Sequence, residues 1–115
     1  MSNQKKELLV NWTTDNIDTA MSMVLLYTYN AKKLGWFDEI TLLIWGASQK
    51  LVATNTEVQE QIKMMKDVGI KVIACKKCAE DKGVSDELMA CDIEVFYTGE
   101  VLTPWLLEGK PFLSV

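Results

Sequence analysis

The chain has 115 residues and a mass of 13.0 kDa, with 49% apolar and 24% charged residues: the size and make-up of one globular domain, 1–115, with a single core. Its net charge of −4, from 16 acidic and 12 basic residues, is the wrong sign for gripping a phosphate backbone, so no direct nucleic-acid partner is expected. Every basic residue is lysine and there is no histidine, which removes the bidentate guanidinium fork, the Ser-His and Cys-His nucleophile pairs and histidine metal ligands.

No apolar run reaches the roughly 18 residues that a membrane span needs. The opening "MSNQKKELLV" lacks the long apolar segment and small-residue cleavage site of a signal peptide. The expectation is a cytoplasmic protein with no membrane partner. Three cysteines there do not make a disulfide framework, and the odd count argues against one in any compartment.

Residues 7–13, "ELLVNWT", form a short apolar run that predicts a first strand. Thr14 and Asp15 then supply oxygen acceptors for a helix start. Ile17, Ala20, Met21, Val24, Tyr27, Ala31 and Leu34 recur at three- and four-residue steps, and Gly35 closes that helix. "EITLLIW", 39–45, is apolar enough for a strand covered on both faces. "GAS" follows as a tight turn, with Ser48 placed to cap a short helix. "EVQEQIKMMKDVG", 57–69, predicts a helix that buries Val58, Ile62 and Met65. Strand three is "IKVIA", 70–74; "CKKCAEDKG" is a short helix stopped by Gly83, and Ser85 opens another. Strand four is "IEVFY", 93–97. Thr103 and Pro104 read as the N-cap and first turn of a last helix, and "PFLSV" as a fifth strand with Pro111 at its start. Strands alternating with helices predict an α/β fold: a three-layer α/β/α sandwich, flavodoxin-like in appearance, around a mainly parallel five-stranded sheet.

In open α/β sheets, chemistry gathers beyond the carboxyl ends of the strands. Those ends carry Thr13, Thr14 and Asp15; Trp45, Gly46, Ala47 and Ser48; Cys75, Lys76, Lys77 and Cys78; and Tyr97, Thr98 and Gly99. Cys75 falls where a strand passes into a helix, so unpaired N–H groups and the helix dipole favour negative charge there. Lys76 and Lys77 add two cations beside it. Both effects push a thiol toward thiolate, the nucleophilic form, and make Cys75 the candidate nucleophile. Cys78 lies on the same helical face; a resolving thiol and a small buried core residue are both open readings for it.

One C-x-x-C plus Cys91, without histidine, falls short of four zinc ligands, so no metal is expected. Cys91, beside Leu88 and Met89, reads as core. A thioredoxin-like dithiol has its motif near the first strand and a later cis-proline; here the motif follows strand three, and the only prolines are Pro104 and Pro111. "WGAS" offers a turn that can bind an anion, but no P-loop or dinucleotide fingerprint. Trp12 and Trp45 close two adjacent strand ends, where they can floor a pocket.

Three stretches, "VNWTTDNIDTAMSMVLLYTYNAKKLGWFDEITLLIWGAS", "GIKVIACKKCAEDKGV" and "YTGEVLTPWLLEGKPFLSV", cover nearly the whole chain. In this order they resemble the DsrE/DsrF-like (DsrEFH-like) family of small sulfur-relay proteins, which includes subunits of the complex that supplies sulfur for tRNA thiolation. The resemblance implies a DsrEFH-like fold and a cysteine at the end of the third strand, eight residues before a "GV", that accepts a persulfide sulfur and passes it on. Cys75 stands at that position, with Gly83 and Val84 following at that spacing. The resemblance also implies homo- or hetero-oligomers, often dimers, trimers or hexamers. The expected function is a cytoplasmic sulfur carrier that bears a persulfide on Cys75 between donor and acceptor proteins and needs no cofactor; whether that amounts to a sulfurtransferase enzyme is left open. Two alternatives stand beside it. One is a non-catalytic oligomeric module that binds a small ligand or nucleotide in a strand-end cleft of Thr13, Thr14, Trp45, Gly46, Ser48, Lys76, Lys77, Thr98 and Gly99. The other is a C-x-x-C dithiol redox protein.

Overall fold

A computed structural model of the protein describes residues 5–115. Five strands, β1 (Glu7–Trp12), β2 (Glu39–Ile44), β3 (Lys71–Cys75), β4 (Glu94–Phe96) and β5 (Phe112–Ser114), make one sheet in the order β4-β3-β2-β1-β5. Every pairing is parallel, the arrangement expected of apolar runs buried on both faces.

Between β1 and β2 the chain runs as one helical stretch: α1 (Ile17–Thr19), a π-helical segment (Ala20–Leu25) and α2 (Leu26–Lys33). Asn16, rather than Thr14 or Asp15, caps it, accepting from the Thr19 N–H at 2.9 Å; Thr14 instead holds the Asn16 N–H at 3.1 Å. Ala20, Val24, Leu25, Thr28 and Ala31 are buried, whereas Ile17 and Leu34, the ends of the predicted stripe, are exposed. Both exposed residues stand at the ends of the stretch, Ile17 as its first residue and Leu34 as its C-cap, while the π segment buries the adjacent Val24 and Leu25.

Helices α3 (Ser48–Thr54) and α4 (Thr56–Asp67) join β2 to β3, and α5 (Lys76–Lys82) and α6 (Ser85–Ala90) join β3 to β4. Val58, Ile62 and Met65 are buried on α4 as their spacing predicts. Gly83 stops α5 in the left-handed conformation, at φ 68°, where its N–H meets the Ala79 and Glu80 carbonyls. The last helix, α7 (Gly99–Leu107), starts earlier than predicted and contains Pro104 in its interior. Thr98 opens it, its carbonyl accepting from the Val101 and Leu102 N–H groups at 2.9 Å each. Pro104 cannot donate to the Glu100 carbonyl one turn earlier, and Glu100 is an exposed residue, where the loss of one helical hydrogen bond costs least.

The pleat divides the strand residues between two faces. Leu8, Val10 and Trp12, Ile40, Leu42 and Ile44, and Val72 and Ala74 join the main core with the helices that connect β1 to β4. Leu9, Leu43 and Ile73 point the other way, packed against Trp45, Phe96, and Val101, Leu102 and Trp105 of α7. The sandwich is therefore lopsided: one face has a deep core, and the other is covered by a single helix with no fully buried residue. No helix among the described residues is long and apolar enough to cross a membrane.

Candidate functional site

Register fixes the carboxyl edge. Ile44 pairs with Ala74, and Cys75 with Phe96, so Trp45, Cys75 and Phe96 lie level across three neighbouring strands. Side chains alternate along a strand, which puts Cys75 on the face of Ile73, the side that α7 covers. Cys75 is also the N-cap residue of α5, in extended conformation at φ −72° and ψ 120°. Cys78 is the third residue of that helix, one turn on from the N-cap, and its thiol lies beside that of Cys75. Both are free thiols; Cys75 is only 4% exposed, while Cys78 is half-buried.

The groups around the Cys78 sulfur act on its ionisation in opposite directions. Burial has the largest effect and pushes its pKa up; the Gly46 backbone N–H and the Trp45 side chain, hydrogen-bonding to the sulfur, pull it down. Cys75 raises it further, through like charge and a side-chain hydrogen bond. Cys75, Cys78, Trp45 and Gly46 thus form one cluster. Gly46 turns the chain there at φ 75°, a conformation that strains any residue with a Cβ.

Gln49, which nothing in the sequence marked out, is the polar residue that ties this edge together. It is completely buried, and its amide N–H2 donates to the Ile44 carbonyl at 3.0 Å and to the Cys75 carbonyl at 2.9 Å. One side chain on α3 thereby clamps the ends of β2 and β3. In the sequence it is only a glutamine near the start of a short helix; its role follows from where the two strands end.

Most of the other predicted site residues have partners of their own. Ser48 is buried and makes no cap; its hydroxyl donates to the Trp12 carbonyl at 2.5 Å and the Trp45 carbonyl at 3.2 Å, stitching β1 to the turn after β2. Trp12 is fully buried in the main core, with its indole N–H on the Thr14 carbonyl at 2.9 Å, so it and Trp45 lie on opposite faces of the sheet and share no pocket floor. Thr13 donates to the Val115 carbonyl at 3.1 Å, and β2 separates its strand from β3. Lys77 is paired with Asp81 at 3.2 Å, and the Lys76 ammonium lies 5.3 Å from the centroid of the Tyr97 ring. Thr98 is completely buried with no partner for its hydroxyl, and Gly99 is exposed as the first residue of α7.

A cavity of about 370 Å³, lined by Asp15, Ala47, Lys50, Leu51, Thr54 and Lys82, opens near this edge without including either thiol. Cys91 lines a different cavity, of about 450 Å³, together with residues of α4. Among the described residues no three Cys, Asp or Glu side chains converge to hold a metal ion. What the cluster offers is thiol chemistry: paired sulfurs that can exchange with one another, beside two N–H donors.

No protein-family model matches the chain, and no curated protein does. Solved structures do. A conserved protein of unknown function, BT1422 from Bacteroides thetaiotaomicron, is 42% identical over 96% of this chain and 95% of its own, with a TM-score of 0.92. MTH1491 from Methanobacterium thermoautotrophicum, also of unknown function, is 16% identical over 95% and 98% of the two chains, with a TM-score of 0.72. The ychN protein from E. coli is 15% identical over 97% and 100%, with a TM-score of 0.70. The last two show a shared fold.

Proposed function

The chain belongs to the family of the Bacteroides thetaiotaomicron protein BT1422, and from that premise we propose that it is a DsrE/DsrF-like sulfur carrier, holding sulfur as a persulfide on Cys75 between partner proteins. The observation that carries this reading is the meeting of two free thiols with the Gly46 N–H and the Trp45 side chain at the end of β3. The Cys75 thiolate attacks the outer sulfur of a donor persulfide, a new S–S bond forms on Cys75, and the donor leaves as a thiolate. An acceptor thiolate then attacks the same outer sulfur, and Cys75 leaves in turn. Of the two lysines beside Cys75, Lys77 is paired with Asp81 and Lys76 lies over the Tyr97 ring.

The donor and acceptor are cytoplasmic proteins, and no cofactor takes part. With a net charge of −4, any role in nucleic-acid thiolation runs through another protein. The carrier is a homo-oligomer: the thinly covered sheet face and the exposed Leu106 and Leu107 at the end of α7 support an apolar contact with a second copy. The loading test uses Cys78→Ser, which leaves Cys75 the only thiol in the cluster. After exposure to a persulfide donor, peptide mass spectrometry is expected to find one added sulfur on Cys75. An unmodified Cys75, under conditions that load a known carrier, sinks the proposal.

The 4% exposure of Cys75 favours a second reading, in which the cysteines are structural and the chain is an oligomeric binding module. In that case Cys75 resists alkylation in the native protein; rapid alkylation near neutral pH supports the carrier.

A further inference from the structure

We propose that Cys78 discharges the Cys75 persulfide as hydrosulfide by closing a Cys75–Cys78 disulfide, so that the protein reduces a persulfide whenever no acceptor thiol is at hand; this rests on Cys75 carrying sulfur as proposed above. Four observations converge on it. Cys78 sits on the turn that Cys75 caps, in contact with its thiol. Both sulfurs are free, and Cys91 lines a separate cavity, so among the described residues Cys78 is the thiol placed to react. Cys75 is enclosed, so an outside acceptor has to reach inward, whereas Cys78 is already present at the high effective concentration of an intramolecular partner. The Gly46 N–H and Trp45 side chain offset part of the penalty that burial places on the thiolate the attack requires.

The geometry of closure is undemanding. Residues three apart on a helix have Cβ atoms about 5–6 Å apart, and modest side-chain and backbone adjustment brings them to the roughly 3.5–4.5 Å of a disulfide. Cys78 first loses its proton to water. Its sulfur then attacks the inner sulfur of the persulfide, Cys75 Sγ, forming the Sγ–Sγ bond. The bond from Cys75 Sγ to the outer sulfur breaks, and its electron pair leaves with that sulfur as HS⁻. The outer sulfur is reduced, and the cysteine pair ends oxidised as a disulfide, with no external oxidant. A separate dithiol reductant resets the pair.

The test treats the reduced full-length chain with glutathione persulfide and follows hydrosulfide release and intact mass, with Cys75→Ser as the background. The wild-type chain is expected to release hydrosulfide and to become lighter by two hydrogens, with the disulfide mapping to Cys75 and Cys78. Cys78→Ser and Cys78→Ala are expected to accumulate sulfur on Cys75 and to release it at least about tenfold more slowly. Wild-type protein that holds its sulfur as long as these variants, or yields no such disulfide, overturns the discharge step and leaves the carrier standing. Variants that never load Cys75 overturn the carrier reading, and the discharge with it.

Discussion

Gln49→Met tests the clamp on the strand ends with a side chain of nearly the same shape and no donor. The change removes two hydrogen bonds, to the Ile44 carbonyl at 3.0 Å and the Cys75 carbonyl at 2.9 Å. Each contributes about 0.5–1.5 kcal/mol net, and a buried carbonyl left without a partner costs about 1–3 kcal/mol. The substitution also removes Gln49 Oε1, a buried oxygen that has no hydrogen-bond partner, which offsets part of the loss. The expected net destabilisation is about 2–3 kcal/mol, a fall in melting temperature of order 10 °C for a domain of this size. Gln49→Glu keeps the shape but turns oxygens toward both carbonyls, so its loss exceeds that of the methionine and grows as pH rises. Thermal unfolding measures the first effect. Alkylation of Cys75, mapped by mass spectrometry under native conditions, measures the second, and is expected to quicken once its strand end is untethered. An unchanged melting temperature together with unchanged Cys75 alkylation refutes the clamp.

Three further outcomes follow from the structure. Because burial outweighs its two N–H contacts, Cys78 is expected to alkylate with a midpoint above the ordinary thiol value of 9.0; a midpoint below it would mean that Gly46 and Trp45 win. The raised pKa favours the protonated form in the folded state, so this contribution to stability is complete below the unfolded value and is lost as pH rises through the folded one. The denaturation midpoint should therefore fall more steeply as pH rises above about 9 in the wild type than in Cys78→Ser, and equal slopes would contradict this. In sedimentation velocity the wild-type chain is expected to run heavier than 13.0 kDa, and Leu107→Glu, at a side chain 83% exposed, is expected to lighten it. A monomeric wild type removes the oligomer from the proposal.

The sequence carried the periodic parts of the fold, because periodicity is what burial against a sheet imposes. Val58, Ile62 and Met65 announced α4, and Gly83 announced the end of α5, since only a residue without a Cβ takes that turn cheaply. The placement of Cys75 at the end of β3 came from the same alternation of apolar run and helix. What stayed hidden depends on contacts distant in the chain. Ser48 looks like a helix cap until the end of β1 arrives beside it and its carbonyl claims the hydroxyl. Trp12 and Trp45 look like neighbours until the pleat sends them to opposite faces. Pro104 suggests a helix start, but the helix begins at Gly99 and runs through it, with the exposed residue Glu100 one turn before it. Gln49 has no local signal, because its second acceptor, the Cys75 carbonyl, belongs to a strand that reaches it only in the fold.

The order β4-β3-β2-β1-β5 has a consequence for how safely the chain folds. Both outer strands are three residues long, too short to offer much of a template to a neighbouring molecule. β1, by contrast, is six residues of mostly buried sequence, and one of its sides is shielded only by β5, whose Ser114 pairs with Asn11. That closure spans most of the sequence, so it is expected to form after the contacts among β1, β2 and β3 that shorter loops allow. Until it does, β1 presents unpaired backbone groups along an apolar edge, the surface through which partly folded chains stick to one another.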